Sequence, residues 1–256
     1  MFPYHDENQT LRTPIVTFVL IAVNVLAWLL VQGAGATEPL ARSVCELGLI
    51  PGELTASLPA GSRFPMGEGL VCLTDPGRQT SNVITSMFLH GSWMHLLGNM
   101  WFLWIFGNNV EDSMGHLRFL VFYLLAGLAA AGAHILTDPA SAIPMVGASG
   151  AISGIMGAYL VLYPRARIDT LFFFVFFIRV VPLPAWVMLG YWMLIQLSGS
   201  FATSVVGGGG VAYGAHIGGF LAGLALIPIF RNPRLVQAKR KKVVLRRDEI
   251  EHGGWW

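Results

Sequence analysis

Pro14-Ile-Val-Thr-Phe-Val-Leu-Ile-Ala-Val-Asn-Val-Leu-Ala-Trp-Leu-Leu-Val31 carries no charge, and Thr17 and Asn24 are its only polar interruptions. Eighteen residues at about 1.5 Å each cover roughly 27 Å, close to the thickness of a bilayer's hydrocarbon core. Five further apolar runs follow, at about 87–108, 118–136, 146–163, 184–197 and 211–230. Composition agrees with six spans. Of 256 residues, 54% are hydrophobic and 12% charged, and mean hydropathy is +0.61. Thirty charged side chains are too few to cover a water-soluble surface of this size, so disordered, collagen-like, coiled-coil and disulfide-scaffold classes are excluded.

The expected architecture is an all-α integral membrane protein, with residues 1–13 as an N-terminal segment, 14–231 as a six-helix bundle and 232–256 as a basic tail. Leu171-Phe-Phe-Phe-Val-Phe-Phe-Ile178 is too short to span as a helix and is cut off by Arg179 and Pro182-Leu-Pro184. It is expected to be extended or interfacial, because proline disfavours helix in the residue before it; a seventh helix is the alternative. Arg12, the first run and Ala34-Gly-Ala36 imitate a secretory leader. The run is long for one and the preceding segment carries Asp6 and Glu7, so it is read as the first span.

With six spans, one side holds Arg12, Arg118, Arg165, Arg167, Arg179 and eight basic residues of the tail, thirteen in all, against Arg42, Arg63 and Arg78 on the other. By the positive-inside rule both termini are cytoplasmic. The tail, from Arg231 through Lys239-Arg-Lys-Lys to Arg247, is expected to lie along anionic headgroups rather than bind nucleic acid. The long first loop, about 33–81, places Cys45 and Cys72 on the non-cytoplasmic side, where they can form a disulfide or remain as two partly buried thiols. The only low-complexity tract is Gly207–Gly210.

Function is sought in polar groups within the spans, since each is costly in hydrocarbon. The second run contains His90, His95 and Asn99 in His-Gly-Ser-Trp-Met-His-Leu-Leu-Gly-Asn. His95 and Asn99, four apart, share a helical face and can converge on one oxygen. The fourth opens Gly147-Ala-Ser149-Gly150, placing a hydroxyl at a helix N-terminus, where free N–H groups favour developing negative charge. The sixth contains Gly214-Ala-His216-Ile-Gly-Gly219. Gly214, Gly218, Ala222 and Gly223 are expected to face Gly150, Gly154 and Gly157 or Ala158, bringing His216 to Ser149 as a general base. No carboxylate lies in the sixth run to orient the ring, so a dyad is expected. Taken singly, each cluster also reads as helix packing without chemistry.

Together the three motifs, in this order and on these runs, resemble the rhomboid intramembrane serine proteases over about residues 80–230. The resemblance implies a bundle of six transmembrane helices and hydrolysis of transmembrane segments of other proteins. It implies Ser149 as nucleophile, His216 as base, Asn99 and His95 as oxyanion donors, and His90 in a supporting position; Gly147 and Gly150, flanking the serine, support it by permitting a tight turn and close approach of a substrate backbone. Glu111 corresponds to a structural acid near the inner end of the second helix. The expected setting is a bacterial inner membrane; the partners are membrane-protein substrates, with no cofactor, metal or nucleic acid. Many family members carry a Trp-Arg pair before the second span, where this chain reads Ser81-Asn-Val-Ile-Thr85, which leaves open how the first loop is braced.

Two further classes are weighed. One is a rhomboid-like factor that binds membrane proteins without cutting them. The other is a metal-dependent enzyme using His90, His95, His134 or Glu111, disfavoured because no His-Glu-x-x-His is present and His90 and His95, five apart, point to different faces of a helix.

Overall fold

The computed structural model describes residues 2–67, 70–74, 77, 79–174, 177–206 and 211–245. Arg78, Val175, Phe176, Gly207–Gly210 and the tail from Arg246 onward, all used above, lie outside them. Each apolar run carries helix: α1 (Ile15–Leu26, extended by a π-helical turn Ala27–Val31), α3 (Trp93–Phe102), α5 (His116–Thr137), α6 (Ser149–Leu162), α7 (Ala185–Val206) and α8 (Tyr213–Phe230). The first loop contributes α2 (Thr37–Leu47). A π-helical turn Leu103–Gly107 joins α3 to α4 (Asn108–Met114), and α9 (Pro233–Arg240) follows α8. Among the described residues, α5 and α8 are by themselves long and apolar enough to cross a membrane; Ile15–Val31 and α6 are shorter apolar helices.

The expectation of an all-α chain needs correction. β1 (Phe2–Asp6), β4 (Arg167–Phe174) and β5 (Phe177–Pro184) form an antiparallel sheet of order β1-β4-β5, and β2 (Arg63–Gly67) pairs with β3 (Leu70–Leu73) in the first loop. Within the run at 171–178, residues 171–174 and 177–178 are therefore paired strand and not a seventh helix. The prolines that follow, 182 and 184, fall toward the end of β5, which pairs with β4 on one side only and so tolerates residues that cannot donate to a ladder.

The second helix starts later than its apolar run implies. Ser92 has extended backbone, and its hydroxyl accepts from the His95 N–H at 3.1 Å, satisfying an orphan donor of the first turn. His90 and Gly91 thus precede the helix.

Small residues let α5, α6 and α8 approach closely. A methyl placed on Gly219 would collide with the Gly150 carbonyl, and one on Gly223 with that of Gly154. A methyl on Gly154 would sit 2.5 Å from Ala126 of α5. The face expected on α8 is thus partly wrong. Gly214 and Gly218 lie against Thr137 and Ala133 of α5, and the stripe facing α6 is Ala215, Gly219 and Gly223, one residue round the helix.

At one end of the bundle the N-terminal strand, α4, the β4–β5 pair and α9 gather. Glu111 accepts from the N–H groups of Val16 (2.9 Å) and Thr17 (2.8 Å), the Thr17 hydroxyl (2.7 Å) and His116 Nδ1 (2.6 Å). It caps α1, whose preceding Pro14 makes no side-chain cap. Asp112 accepts from Leu11 N–H, Arg12 and Lys239. Lys239 is therefore not on a headgroup-facing surface. It is 7% exposed, its amine on Asp112 (3.1 Å) and Asn109, and 5.1 Å from the centre of the Tyr163 ring. Burial pulls its pKa below the usual lysine value, an effect the Asp112 carboxylate opposes.

The first loop packs at the other end. Cys45 and Cys72 are disulfide-bonded, with Cα atoms 5.6 Å apart. Asn82 Nδ2 donates to the carbonyls of Glu46 and Gly48, both at 3.0 Å, and the Thr85 hydroxyl donates to that of Leu47 at 2.7 Å. The segment Ser81–Thr85, where the Trp-Arg pair is missing, thus braces the loop through an amide and a hydroxyl. The loop in turn bridges Leu49 to Met145, just ahead of α6.

Candidate active site

Ser149 is the first residue of α6, entered through Gly147, whose φ of +130° is open to glycine and strained for other residues. The Gly147 N–H is tied to the Ser86 carbonyl at 2.9 Å, fixing the turn. The close contact of α6 with α8 brings His216 opposite, and its Nε2 lies 2.8 Å from Ser149 Oγ. The two residues are 67 positions apart and share no element. Ser149 is half-buried and its helix begins at that residue, so its own N–H has no intrahelical acceptor.

His95 stands on the other side of the turn. Its Nδ1 accepts from the Gly91 N–H at 3.3 Å, so in the neutral ring the proton is on Nε2. That Nε2 faces the turn, since a methyl on Gly147 would lie 2.8 Å from it and 3.5 Å from Ser149 Oγ. This close approach is the second reason for glycine at 147. Asn99, one turn along α3, is 8% exposed, and its Nδ2 has no hydrogen-bond partner in the protein.

His90 is fully buried in the loop before α3, with its backbone N–H and C=O both held by the Gln32 amide at 2.8 and 2.7 Å. Its ring meets that of His95 edge to face, centroids 5.1 Å apart. The expectation that the two histidines point apart is corrected here, because it assumed both to be helical. Among the described residues no group of three or more His, Cys, Asp or Glu side chains is placed to hold a metal.

His216 has a second partner. Its Nδ1 lies 2.8 Å from Oε1 of Gln196 on α7, and the Trp192 ring, one turn earlier, is 5.9 Å from the imidazole. Neither was singled out above, although a polar residue inside the apolar run 184–197 is the signal already applied to the other helices.

A family model for the Rhomboid domain matches residues 77–233, from the brace before α3 to the first residue of α9. This chain belongs to the rhomboid family. It is 31% identical over 147 residues to Rhomboid protein 1, mitochondrial, of Saccharomyces cerevisiae, covering 56% of this chain and 40% of that protein. It is 32% identical over 178 residues to Rhomboid-like protease 5 of Toxoplasma gondii (68% and 19%), and 35% over 146 residues to Rhomboid protease GluP of Bacillus subtilis (56% and 25%). The matches span less than half the length of each of these relatives. Membership makes the chain a helical, membrane-embedded protein. In this rhomboid the residues of all three motifs meet around the Gly147–Ser149 turn, which the disulfide-linked first loop and Ser86 hold from outside.

Proposed function

We propose that this rhomboid is an intramembrane serine endopeptidase that hydrolyses peptide bonds in or near transmembrane segments of other membrane proteins through a Ser149–His216 dyad. The observation that carries this reading is the 2.8 Å contact of Ser149 Oγ with His216 Nε2 at the head of a membrane-embedded helix. Ser149 Oγ attacks the scissile carbonyl carbon as its proton passes to His216 Nε2. The carbonyl oxygen becomes an oxyanion held by Asn99 Nδ2, His95 Nε2–H and the Ser149 N–H. Collapse expels the amine, which takes the proton from His216 and leaves an ester on Ser149. Water then attacks the ester, giving its proton to His216, and the acid product leaves as Ser149 regains a proton.

A lipid-embedded helix has its backbone groups paired and no water at hand, so substrates must unwind locally to present the carbonyl. In this reading the apolar runs make six spans over 14–231, with both termini cytoplasmic and the 232–256 tail beyond them. The N-terminal strand, the β4–β5 pair and α9 share one end of the bundle, in keeping with an even number of crossings. Exposed basic residues of the tail such as Arg231, Arg240, Lys241 and Lys242 then meet anionic headgroups, in the inner membrane of a bacterium.

The test is labelling of the detergent-solubilised protein by a fluorophosphonate, with Ser149→Ala and His216→Ala as controls. Labelling of the wild type alone supports the proposal. Absence of labelling where a control serine protease reacts overturns it in favour of a rhomboid that binds membrane proteins without cutting them.

A further inference from the structure

We infer that Gln196 is the positioning residue of the general base: its side-chain oxygen fixes the His216 tautomer that can accept the Ser149 proton. This rests on the protease reading given above and adds a third member, on a third helix, to the expected dyad. Gln196 is 6% exposed inside α7, where an amide is costly unless both its ends are engaged. Its Nε2 faces the Trp192 carbonyl at 3.4 Å, and its Oε1 faces His216 Nδ1 at 2.8 Å. The alternative amide orientation would set two carbonyl oxygens against each other, so the contacts themselves choose this one.

An oxygen can only accept, so Nδ1 carries the proton of the neutral imidazole. Nε2 is then left with a lone pair directed at Ser149 Oγ. With the other tautomer the ring would present N–H to the hydroxyl and could not take its proton. In serine proteases of other folds an aspartate does this work. Here a neutral amide does it, which orients the ring without placing a carboxylate in hydrocarbon. Trp192 lies four residues earlier on the same face of α7, its ring 5.9 Å from the imidazole and 6.0 Å from Phe220. The base on α8 is thus held from α7 at one nitrogen and across its ring.

The experiment uses the full chain reconstituted in liposomes with a transmembrane substrate, comparing wild type, Gln196→Leu, which lacks the acceptor, and Gln196→Glu, which keeps it. The Leu variant is expected to lose kcat by about 10- to 100-fold, part of the 10²–10⁴ typical of a general base, with KM changed by less than about twofold. The Glu variant is expected to retain kcat within about fivefold. Nitrogen-15 NMR of histidine-labelled protein should report Nδ1–H at His216 in wild type and the Glu variant, and a mixture of tautomers in the Leu variant.

Wild-type kcat in the Leu variant, equal losses in Leu and Glu, or an unchanged His216 signature in Leu would each overturn the inference. If the Leu variant does not fold, Nε2–H at His216 in wild type or in the Glu variant overturns it instead. The NMR comparison is repeated on Ser149→Ala protein. An inactive wild type would then sink the protease reading, while the Gln196 contact is still tested by the tautomer.

Discussion

The two ends of this bundle both bury polar side chains; the carboxylates of one are fully partnered, although Asn8 Nδ2 beside them is not, while the other leaves side chains of its first motif unpartnered. At the end where β1, α4 and α9 meet, Glu111 receives four donors and Asp112 is held by Leu11, Arg12 and Lys239. At the Ser149 end, Asn99 Nδ2 and both ring nitrogens of His90 are buried without a protein partner. Buried groups that are fully partnered fix a structure; buried donors left over are available to a ligand that brings an acceptor. The first end reads as architecture and the second as chemistry, although an inventory of polar residues would rank the first as the more polar.

The sharpest way to break this comparison is at Ser149. Ser149→Ala should reduce cleavage of a reconstituted transmembrane substrate to background, a loss on the order of 10⁴-fold or more, while unfolding in detergent changes by no more than about 1.5 kcal/mol, the upper end for one lost hydrogen bond. Residual cleavage near the wild-type rate would remove the chemical reading of that end.

Lys239→Met attacks the architectural end. It leaves Asp112 buried with Arg12 and one backbone N–H, and breaking such a pair typically costs about 3 kcal/mol or more. The expected result is a marked loss of resistance to thermal unfolding in detergent, with kcat of the surviving folded protein unchanged. A variant as stable as wild type would show that the cluster does not hold α9 to the bundle.

Asn99→Ala tests the unpartnered donor. Loss of one oxyanion donor typically costs about 100-fold in kcat, and because the Asn99 amide donor has no protein partner, stability should stay within about 1 kcal/mol of wild type. A large loss of stability with intact kcat would move Asn99 from chemistry to packing.

What the amino-acid sequence makes legible divides along the same line. Ser149, His216, His95 and Asn99 stand out because a polar residue in an apolar run is visible without knowing its neighbours. Gln196 satisfies the same test, yet its relevance depends on a partner 20 residues away on another helix. Lys239 is opaque for the same reason. In a basic run it reads as surface, and only the approach of α4 and the Asp112 carboxylate make burial affordable. The late start of α3 at Trp93 is a local competition in which Ser92 capping outweighs an apolar run that continues upstream. On α8 the expected face holds at Gly223 and fails at Gly214 and Gly218, because these and Gly219 are all small, and composition does not say which of two neighbouring helices each one meets.

The smallest effect expected is one of pH, at the architectural end. Asp6 is 8% exposed, and its Oδ2 accepts from Asn109 Nδ2 at 2.6 Å and from the Tyr159 hydroxyl at 2.7 Å. Burial raises its pKa from 3.8 to about 6, against the opposing pull of Tyr159, Lys239 and His5. The folded chain therefore binds this proton more tightly than the unfolded chain, so Asp6's contribution to stability is full below about pH 4 and is lost as pH rises through about 6. Between pH 5 and pH 7.5 the difference is about 1 kcal/mol. Other groups titrate in that interval, so the measurement is the difference between wild type and Asp6→Asn in unfolding at the two pH values. The asparagine variant should lack this part of the slope and be at least as stable as wild type at pH 7.5. A slope identical in the two proteins would mean that β1 does not bury Asp6 against Tyr159, and an Asn variant weaker at pH 7.5 would mean that the ionised carboxylate, held by Lys239, contributes more than its burial costs.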